Sequence, residues 1–278
     1  YVFDPSKKLA MALKMTRRLH KIKPITNLDT QSSIFQQAIF VCSPPLIHST
    51  NLRDIAGYTG RIFVEKPGFL KQDDLVGVDA EKVYVGYVLR HAPVVNKLRD
   101  IANGRGFNSL EVTLTTNVNF SLDDASWRDQ AAFGGGLLNE FGSHCINLLL
   151  YFTKKRLGLE KVTSSGPNDF LLEFVNLDAS EKTQRFTVLL SAGQIGVRKA
   201  VYTFSGDIKN GPSVWTDFSS IKTDTTVSSD NEEASVSSLA SGQLNSAAYL
   251  RGHEFSNQMS YFINNKGFEG SAADSIQT

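Results

Sequence analysis

The first 105 residues alternate between largely apolar runs and segments of helical spacing, and this alternation restricts the fold more than any other feature. A strand that is buried on both faces of a parallel sheet reads as such a continuous apolar run. The runs lie at 1–3, 38–42, 61–64 and 82–88, and the helical segments lie at about 9–20, 46–57 and 93–102. Strands that alternate with helices predict a doubly wound parallel sheet.

The pattern changes near residue 105. From 107 to 119 apolar and polar residues alternate, which is typical of a half-buried strand. One helix is predicted at about 137–152, and further strands are predicted at 169–175, 184–191 and 198–205. We therefore predict a parallel-sheet domain over 1–105, followed by an α+β domain with a largely antiparallel sheet over 106–278. The outer face of the second sheet is a candidate contact between subunits.

The last part of the chain is mostly polar. Residues 206–247 are rich in Ser, Thr, Asp, Asn and Gly, which predicts irregular structure. Within this stretch an edge hairpin is predicted around Val214-Trp215, and a mobile loop at 227–246. Helical spacing returns near 249–264, and this closing helix is a candidate to pack back on the first domain. Its apolar stripe is interpreted as core packing and is formed by Phe255, Met259 and Phe262.

Composition excludes several classes of protein. The net charge is +1 with no long run of one sign, so a nucleic-acid-binding stripe is not indicated. No apolar run approaches the roughly 18 residues that a membrane span needs. Cys42 and Cys145 lie in apolar surroundings, which favours reduced core residues over a disulfide. Reduced cysteines fit a cytoplasmic location.

Asp4 follows the first apolar run. An acidic residue at the carboxyl end of a strand can bind the ribose hydroxyls of NAD and disfavour NADP. The alternative is that Asp4 caps the helix that follows it. A glycine-rich dinucleotide loop would lie about 20 residues before Asp4, outside this sequence.

Glu65-Lys66-Pro67 follows the third apolar run. The proline restricts Lys66 to extended backbone geometry, so the lysine is expected at the carboxyl edge of the parallel sheet. Ligands bind at that edge in open α/β sheets, and a lysine there can protonate or stabilise a substrate oxygen. The alternative is an ordinary strand exit.

Gly134-Gly135-Gly136 precedes a helix that carries Glu140, His144 and Asn147 at i, i+4 and i+7. This spacing places the three side chains on one helical face. The carboxylate is expected to orient the imidazole and to raise the pKa of His144. No third ligand with suitable spacing accompanies Glu140 and His144, so no metal site is predicted. The alternative is a polar stripe on an amphipathic helix.

Two further features leave their roles open. Trp127-Arg128 can contact a nicotinamide ribose or sugar, or pack at the domain junction. His48 follows Ser43-Pro44-Pro45, and it can reach the cofactor cleft or serve as a surface or capping residue.

Taken together, these segments resemble the Gfo/Idh/MocA oxidoreductases over nearly the whole chain. Each motif alone is weak, whereas the Glu-Lys-Pro element combined with the glycine-led helix is fairly specific. The resemblance is carried by residues 38–45 with His48, 64–67, 85–90, Trp127-Arg128, 134–136, 142–144 and 251–255.

The resemblance implies a Rossmann-type domain that lacks its first strand and glycine loop in this chain, and a second domain that carries the substrate. It implies NAD as cofactor, with NADP as the alternative, and a homo-oligomer, either dimer or tetramer. Lys66 and His144 would be the catalytic pair, with Glu140 orienting His144 and Asn147 on the substrate side. Residues matching the family's cofactor cleft are Ser43, Pro44, His48, Glu65, Trp127 and Arg128.

Two functions follow as hypotheses. The favoured one is hydride transfer between a nicotinamide cofactor and a secondary alcohol of a sugar, nucleotide sugar or cyclitol. The other is a non-catalytic relative that binds dinucleotide or a partner protein. The family commonly has Asp where Glu140 and Asn147 stand, and these two substitutions keep the second hypothesis open.

Overall fold

A computed structural model describes residues 2–3, 24–25, 38–68, 79–118, 135–177, 184–194, 200–218, 221–224, 258–259 and 261–262. The strands are β1 (Val2–Phe3), β2 (Pro24–Ile25), β3 (Ala38–Val41), β4 (Arg61–Val64), β5 (Val83–Val85), β6 (Phe107–Thr116), β7 (Leu157–Gly166), β8 (Asp169–Asn176), β9 (Arg185–Ser191), β10 (Ala200–Ile208), β11 (Ser213–Thr216) and β12 (Ile221–Asp224). The α-helices are α1 (His48–Asp54), α2 (Pro93–Ala102) and α3 (Ser143–Thr153). Short 3₁₀ turns lie at Pro45–Ile47, Ala80–Lys82 and Val88–His91, and a π-helical turn lies at Leu138–Gly142.

The smaller sheet is parallel. Its strands lie in the order β3-β4-β5, and the register pairs Val41 with Val64 and Val64 with Val85. Because all three strands run in the same direction, their carboxyl ends meet at one edge. Leu52 of α1 is fully buried in the core beside Val64 and Val83. A separate pair, β1 and β2, is also parallel.

The larger sheet has the order β12-β11-β10-β6-β9-β8-β7. Its neighbours pair antiparallel, apart from β6 and β9, which are parallel. Alternate residues of β6 are buried, and α3 packs against them with Leu148 and Leu149 fully enclosed. Helix α2 contributes Val95 and Leu98 to the same core. The predicted fold class, a parallel sheet followed by a largely antiparallel one, is confirmed.

The prediction of irregular structure over 206–247 is wrong for its first part. Strand β10 continues to Ile208, and β11 and β12 follow as an antiparallel hairpin. The predicted hairpin around Val214-Trp215 is confirmed. Strand β7 was not predicted, because most of its residues are exposed and it therefore lacks an apolar alternation.

Cys42 is exposed, so its prediction as a core residue is wrong, whereas Cys145 is buried and both thiols are free. The reason is that Cys42 follows the last residue of β3 and lies outside the sheet. None of the helices in the described part of the chain is long and apolar enough to cross a membrane.

Several predictions lie outside the described residues. They concern Asp4, the helix at 9–20, Trp127, Arg128, Gly134, the loop at 227–246 and most of the closing helix. The described part of the closing helix includes Phe262, which is buried against Phe63 and Tyr84 beside β4 and β5.

Candidate active site

The carboxyl edge of the parallel sheet places three loops side by side. The backbone N–H of Glu65 donates to Val41 O at 2.9 Å, and that of Gly86 donates to Val64 O at 2.8 Å. These bonds continue the strand register beyond β4 and β5. The loops that carry Ser43, Lys66 and Tyr87 therefore leave the sheet at the same edge.

Lys66 joins the small sheet to the glycine-led helix. Its Nζ donates to the backbone carbonyl of Glu140 at 2.6 Å and lies 3.3 Å from Glu140 Oε1. Both side chains are largely buried, with relative exposures of 15% and 18%. The contact spans 74 residues of sequence, and it places the lysine one helical turn before His144.

The helix predicted at 137–152 begins with a π-helical turn, Leu138–Gly142, before α3 starts at Ser143. Gly136 precedes this turn with φ = 84°, a backbone conformation that favours glycine. A π-turn interrupts the regular α-helical ladder and is frequent at functional sites. Here the carbonyl of Glu140, within that turn, accepts its hydrogen bond from Lys66.

His144 is buried, with a relative exposure of 8%. Burial and then the nearby Lys66 cation lower the pKa of His144 well below its ordinary value. Among the described residues its Nδ1 has no hydrogen-bond partner. The rings of Tyr87 and Tyr202 lie edge-on to the imidazole, with centroid distances of 6.1 and 6.5 Å.

These observations correct one prediction. Glu140 was expected to orient His144 and to raise its pKa, but its carboxylate pairs with Lys66 instead. The physical reason is the π-turn, which adds a residue to the turn that holds Glu140 and so changes its alignment with His144. The pKa of His144 moves in the opposite direction, because burial removes solvent and the adjacent charge is positive.

Asn147 lies one turn after His144 and is 3% exposed. Its Oδ1 accepts a hydrogen bond from Arg90 Nε at 2.6 Å, whereas its Nδ2 has no partner within the described part of the chain. The Arg90 guanidinium also lies over the rings of Tyr87 and Tyr151, at 5.8 and 5.2 Å. Arg90, Tyr87 and Tyr202 were not predicted as site residues. The run 85–90 contributed to the family resemblance but indicated no role for its residues. No feature of the sequence pointed to Tyr202.

His48 and Ser43 fix the loop that follows β3. His48 is the first residue of α1 and is 1% exposed, so the alternative of a surface residue is wrong. Its Nε2 lies 2.7 Å from Ser43 O, and the Ser43 hydroxyl donates to Asn51 Oδ1 at 2.6 Å. His48 also closes the 3₁₀ turn Pro45–Ile47, because its backbone N–H donates to Pro45 O. Pro44 accepts from the Ile47 N–H at 3.0 Å in the adjoining 3₁₀ turn.

The structure thus brings together Ser43, Pro44, His48, Glu65 and Lys66 on the sheet edge, and Glu140, His144 and Asn147 on the helix. Asp4, Trp127 and Arg128 lie outside the described residues. Over the ranges that the structure describes, no three His, Cys, Asp or Glu side chains are grouped as a metal site requires.

A separate groove lies on the outer face of the larger sheet. It shares no residue with the Lys66–His144 cluster. Its lining includes Glu111, Arg185, Asp207, Trp215 and Lys222.

The parallel sheet with its open carboxyl edge and the larger mixed sheet define a Rossmann-like architecture with an α+β second part. Levoglucosan dehydrogenase, in complex with NADH and levoglucosan, shares it with a TM-score of 0.73 and 14% identity, covering 99% of this chain and 83% of that one. GenD2 from gentamicin A biosynthesis, in complex with NAD, has a TM-score of 0.68 and 15% identity, covering 99% and 82%.

KijD10, a 3-ketoreductase from Actinomadura kijaniata in complex with NADP, has a TM-score of 0.66 and 12% identity, covering 99% of this chain and 84% of that one. Neither a protein-family model nor a curated protein matches the sequence. At these identities the likeness shows a common fold.

Proposed function

We propose that the protein is a nicotinamide-dependent oxidoreductase of the Gfo/Idh/MocA type. It oxidises a secondary alcohol of a sugar, nucleotide sugar or cyclitol, or reduces the corresponding ketone. The observation that carries this proposal is the convergence of the Lys66 ammonium and the buried imidazole of His144 at the carboxyl edge of the parallel sheet.

The solved structures of similar fold support the cofactor and the substrate class. Levoglucosan dehydrogenase binds NADH with levoglucosan, and also NADH with L-sorbose. GenD2 binds NAD, and KijD10 binds NADP. We propose NAD for this chain, with NADP as the alternative.

The described residues fit such a cofactor and substrate. The buried Nδ1 of His144 and Nδ2 of Asn147 lack hydrogen-bond partners among the described residues, as expected of groups that await a polar ligand. We propose that Ser43, Pro44 and Glu65 line the cofactor cleft, together with Asp4, Trp127 and Arg128. The nicotinamide, when bound, supplies the acceptor or donor of a hydride.

The side chains divide the proton chemistry between them. His144 is neutral at pH 7, because its pKa is lowered, so it can accept the proton of the substrate hydroxyl. The Lys66 ammonium stabilises the negative charge that develops on the same oxygen. Asn147 Oδ1 already accepts from Arg90, which leaves the amide N–H groups to donate to a second substrate oxygen.

A non-catalytic dinucleotide-binding role is the second candidate. The observation that favours it is the pairing of Glu140 with Lys66, which leaves His144 without an orienting carboxylate among the described residues. In that role the Lys66–Glu140 pair would be a structural link between sheet and helix. The outer face of the larger sheet would serve as a subunit contact in either case, in a dimer or tetramer.

Titration with NADH, followed by its fluorescence, and then assay on a panel of sugars and cyclitols separates the two functions. The enzyme is expected to bind NADH and to reduce NAD in the presence of at least one alcohol. Binding without turnover on the whole panel would favour the non-catalytic dinucleotide-binding role. Failure to bind either NADH or NADPH would contradict both.

A further inference from the structure

The imidazole of His48 connects two of the three loops at the carboxyl edge. Nδ1 lies 3.1 Å from Pro67 O and 3.2 Å from Gly68 O, both in the turn that follows Lys66. Nε2 lies 2.7 Å from Ser43 O, in the loop that follows β3. The ring is 1% exposed, so these contacts are shielded from water.

Every one of these partners is a backbone carbonyl, which can only accept. The ring holds a loop by donating an N–H. Because a neutral imidazole has only one N–H, the ring donates to both loops at once, from Nε2 to Ser43 O and from Nδ1 to Pro67 O and Gly68 O, only as the imidazolium. A buried hydrogen bond of this kind is costly to lose, because the carbonyl is left without a partner.

The turn after Lys66 is confined on a second side. A Cβ added at Gly68 would lie 2.7 Å from Val85 Cγ2, which shows how closely the turn packs on β5. Lys66 thus has its backbone held through Pro67 and Gly68, while its amine is held by Glu140.

We propose that His48 is a positioning residue, which fixes the Lys66-Pro67-Gly68 turn to α1 and thereby holds the Lys66 amine against the helix of His144. This role differs from a direct contact with the cofactor. The catalytic consequence rests on the proposed function, but the positioning itself does not.

Three variants of His48 distinguish the contributions of its two ring nitrogens. His48→Phe keeps an aromatic ring and removes both ring nitrogens. His48→Asn places an amide N–H near the position of Nδ1, and His48→Gln places one near that of Nε2. Gln184→Leu is the matched control, since it removes another buried side-chain donor, to Phe107 O at 3.1 Å, in the larger sheet.

The first readout is the rate at which acetic anhydride labels Lys66, measured by peptide mass spectrometry against the more exposed Lys82 and Lys161. Labelling of Lys66 is expected to rise several-fold in His48→Phe and in His48→Gln, and to stay near the wild-type rate in His48→Asn and Gln184→Leu. If His48 only stabilised the fold, the rate of Lys66 labelling in each variant would instead rise with that variant's loss of thermal stability.

The second readout is turnover. If the wild type is active, His48→Phe should lower kcat by about 10- to 100-fold with little change in the NADH dissociation constant, because Lys66 is displaced rather than removed. An inactive wild type would count against the proposed function, while the labelling still tests His48. Unchanged Lys66 labelling in His48→Phe, or a weaker affinity for NADH with normal labelling, would overturn the positioning role.

Discussion

Lys66 and His144 lie close together, but their surroundings differ. The lysine amine is held by one carbonyl and one carboxylate of Glu140, whereas the buried imidazole has no hydrogen-bond partner at Nδ1 among the described residues. A buried polar atom without a partner is destabilising in a protein without ligand. The pair therefore resembles a site that a polar ligand completes.

Lys66→Ala tests the lysine. Turnover should be lost while the NADH dissociation constant stays within a few-fold, because in the proposed mechanism the ammonium acts on the developing oxyanion. Steady-state kinetics and fluorescence titration measure the two quantities. Lys82→Ala, a change at an exposed lysine, is the control and should keep full activity. Equal activity of Lys66→Ala and the control would remove Lys66 from the mechanism.

His144→Ala tests the proposed role of His144 as the base. The value of kcat should fall by roughly 100-fold or more, since proton transfer loses its acceptor. Thr153→Ala, at the other end of α3 and also buried, controls for damage to the helix. A pH–rate profile of His144→Ala that matches the wild type would contradict the assignment.

At the scale of elements, the π-turn before α3 decides how the site is assembled. The sequence predicted the helix, its glycine-led start and the residues 140, 144 and 147 on it. It could not predict that Glu140 would turn toward Lys66, because helical spacing assumes 3.6 residues per turn and a π-turn departs from that value.

Among the other elements, some could also be predicted from the sequence and some could not. The strands β3 and β4 and the amphipathic helix α2 were predicted from their apolar pattern, although only Val41 of β3 is buried. Strand β7 has no such pattern, because most of its residues are exposed, and it is defined mainly by its pairing with β8. Tyr202 enters the site through sheet pairing alone, which local sequence does not encode.

Gly206→Ala tests the pairing of β6 with β10. An added Cβ would lie 2.8 Å from Ser109 O, a backbone atom that cannot move without disturbing the sheet. The free energy of unfolding should fall by about 1–3 kcal/mol. Gly57→Ala, where a Cβ meets nothing within 4 Å, should change it by less than about 0.5 kcal/mol. Urea unfolding measures both, and equal stability of the two variants would refute this account of the packing.

At the scale of the whole molecule, a segment near the end of the sequence packs against the smaller, parallel sheet. Phe262 is 1% exposed and packs with Phe40, Phe63 and Tyr84 at ring-centroid distances of 5.4 to 5.8 Å. Arg61 Nη1 donates to Phe262 O at 2.8 Å across 201 residues of sequence. The parallel sheet therefore depends on a segment near the end of the sequence.

Phe262→Ala should lower the free energy of unfolding by about 3–5 kcal/mol, because it opens a cavity in the aromatic cluster. Phe40→Ala removes a ring of the same cluster that is 50% exposed, and it should cost clearly less. Chemical denaturation compares them. A smaller effect at Phe262 than at Phe40 would show that the closing helix does not support the sheet.

Stability should also depend on pH. Burial, and then Arg90, lowers the pKa of His91 from 6.5 to about 4. The unfolded chain takes up this proton near pH 6.5 and the folded chain only near pH 4, so the stabilisation is complete above 6.5 and is lost as the pH falls toward 4. His144 acts in the same direction.

His91→Gln isolates this contribution, because an amide can take the place of Nε2 beside Tyr84 Oη, now 2.6 Å away, without titrating. Urea unfolding at pH 7.5 and pH 5 should show a larger loss of stability in the wild type than in His91→Gln. An equal loss in both proteins would mean that His91 is not held neutral.

The most direct measurement is a crystal structure of the protein with NADH bound. We expect a nicotinamide ring at the carboxyl edge of the parallel sheet, with Lys66 and His144 both beside it. A cofactor bound in the groove of the outer sheet face, or a nicotinamide far from either side chain, would contradict it.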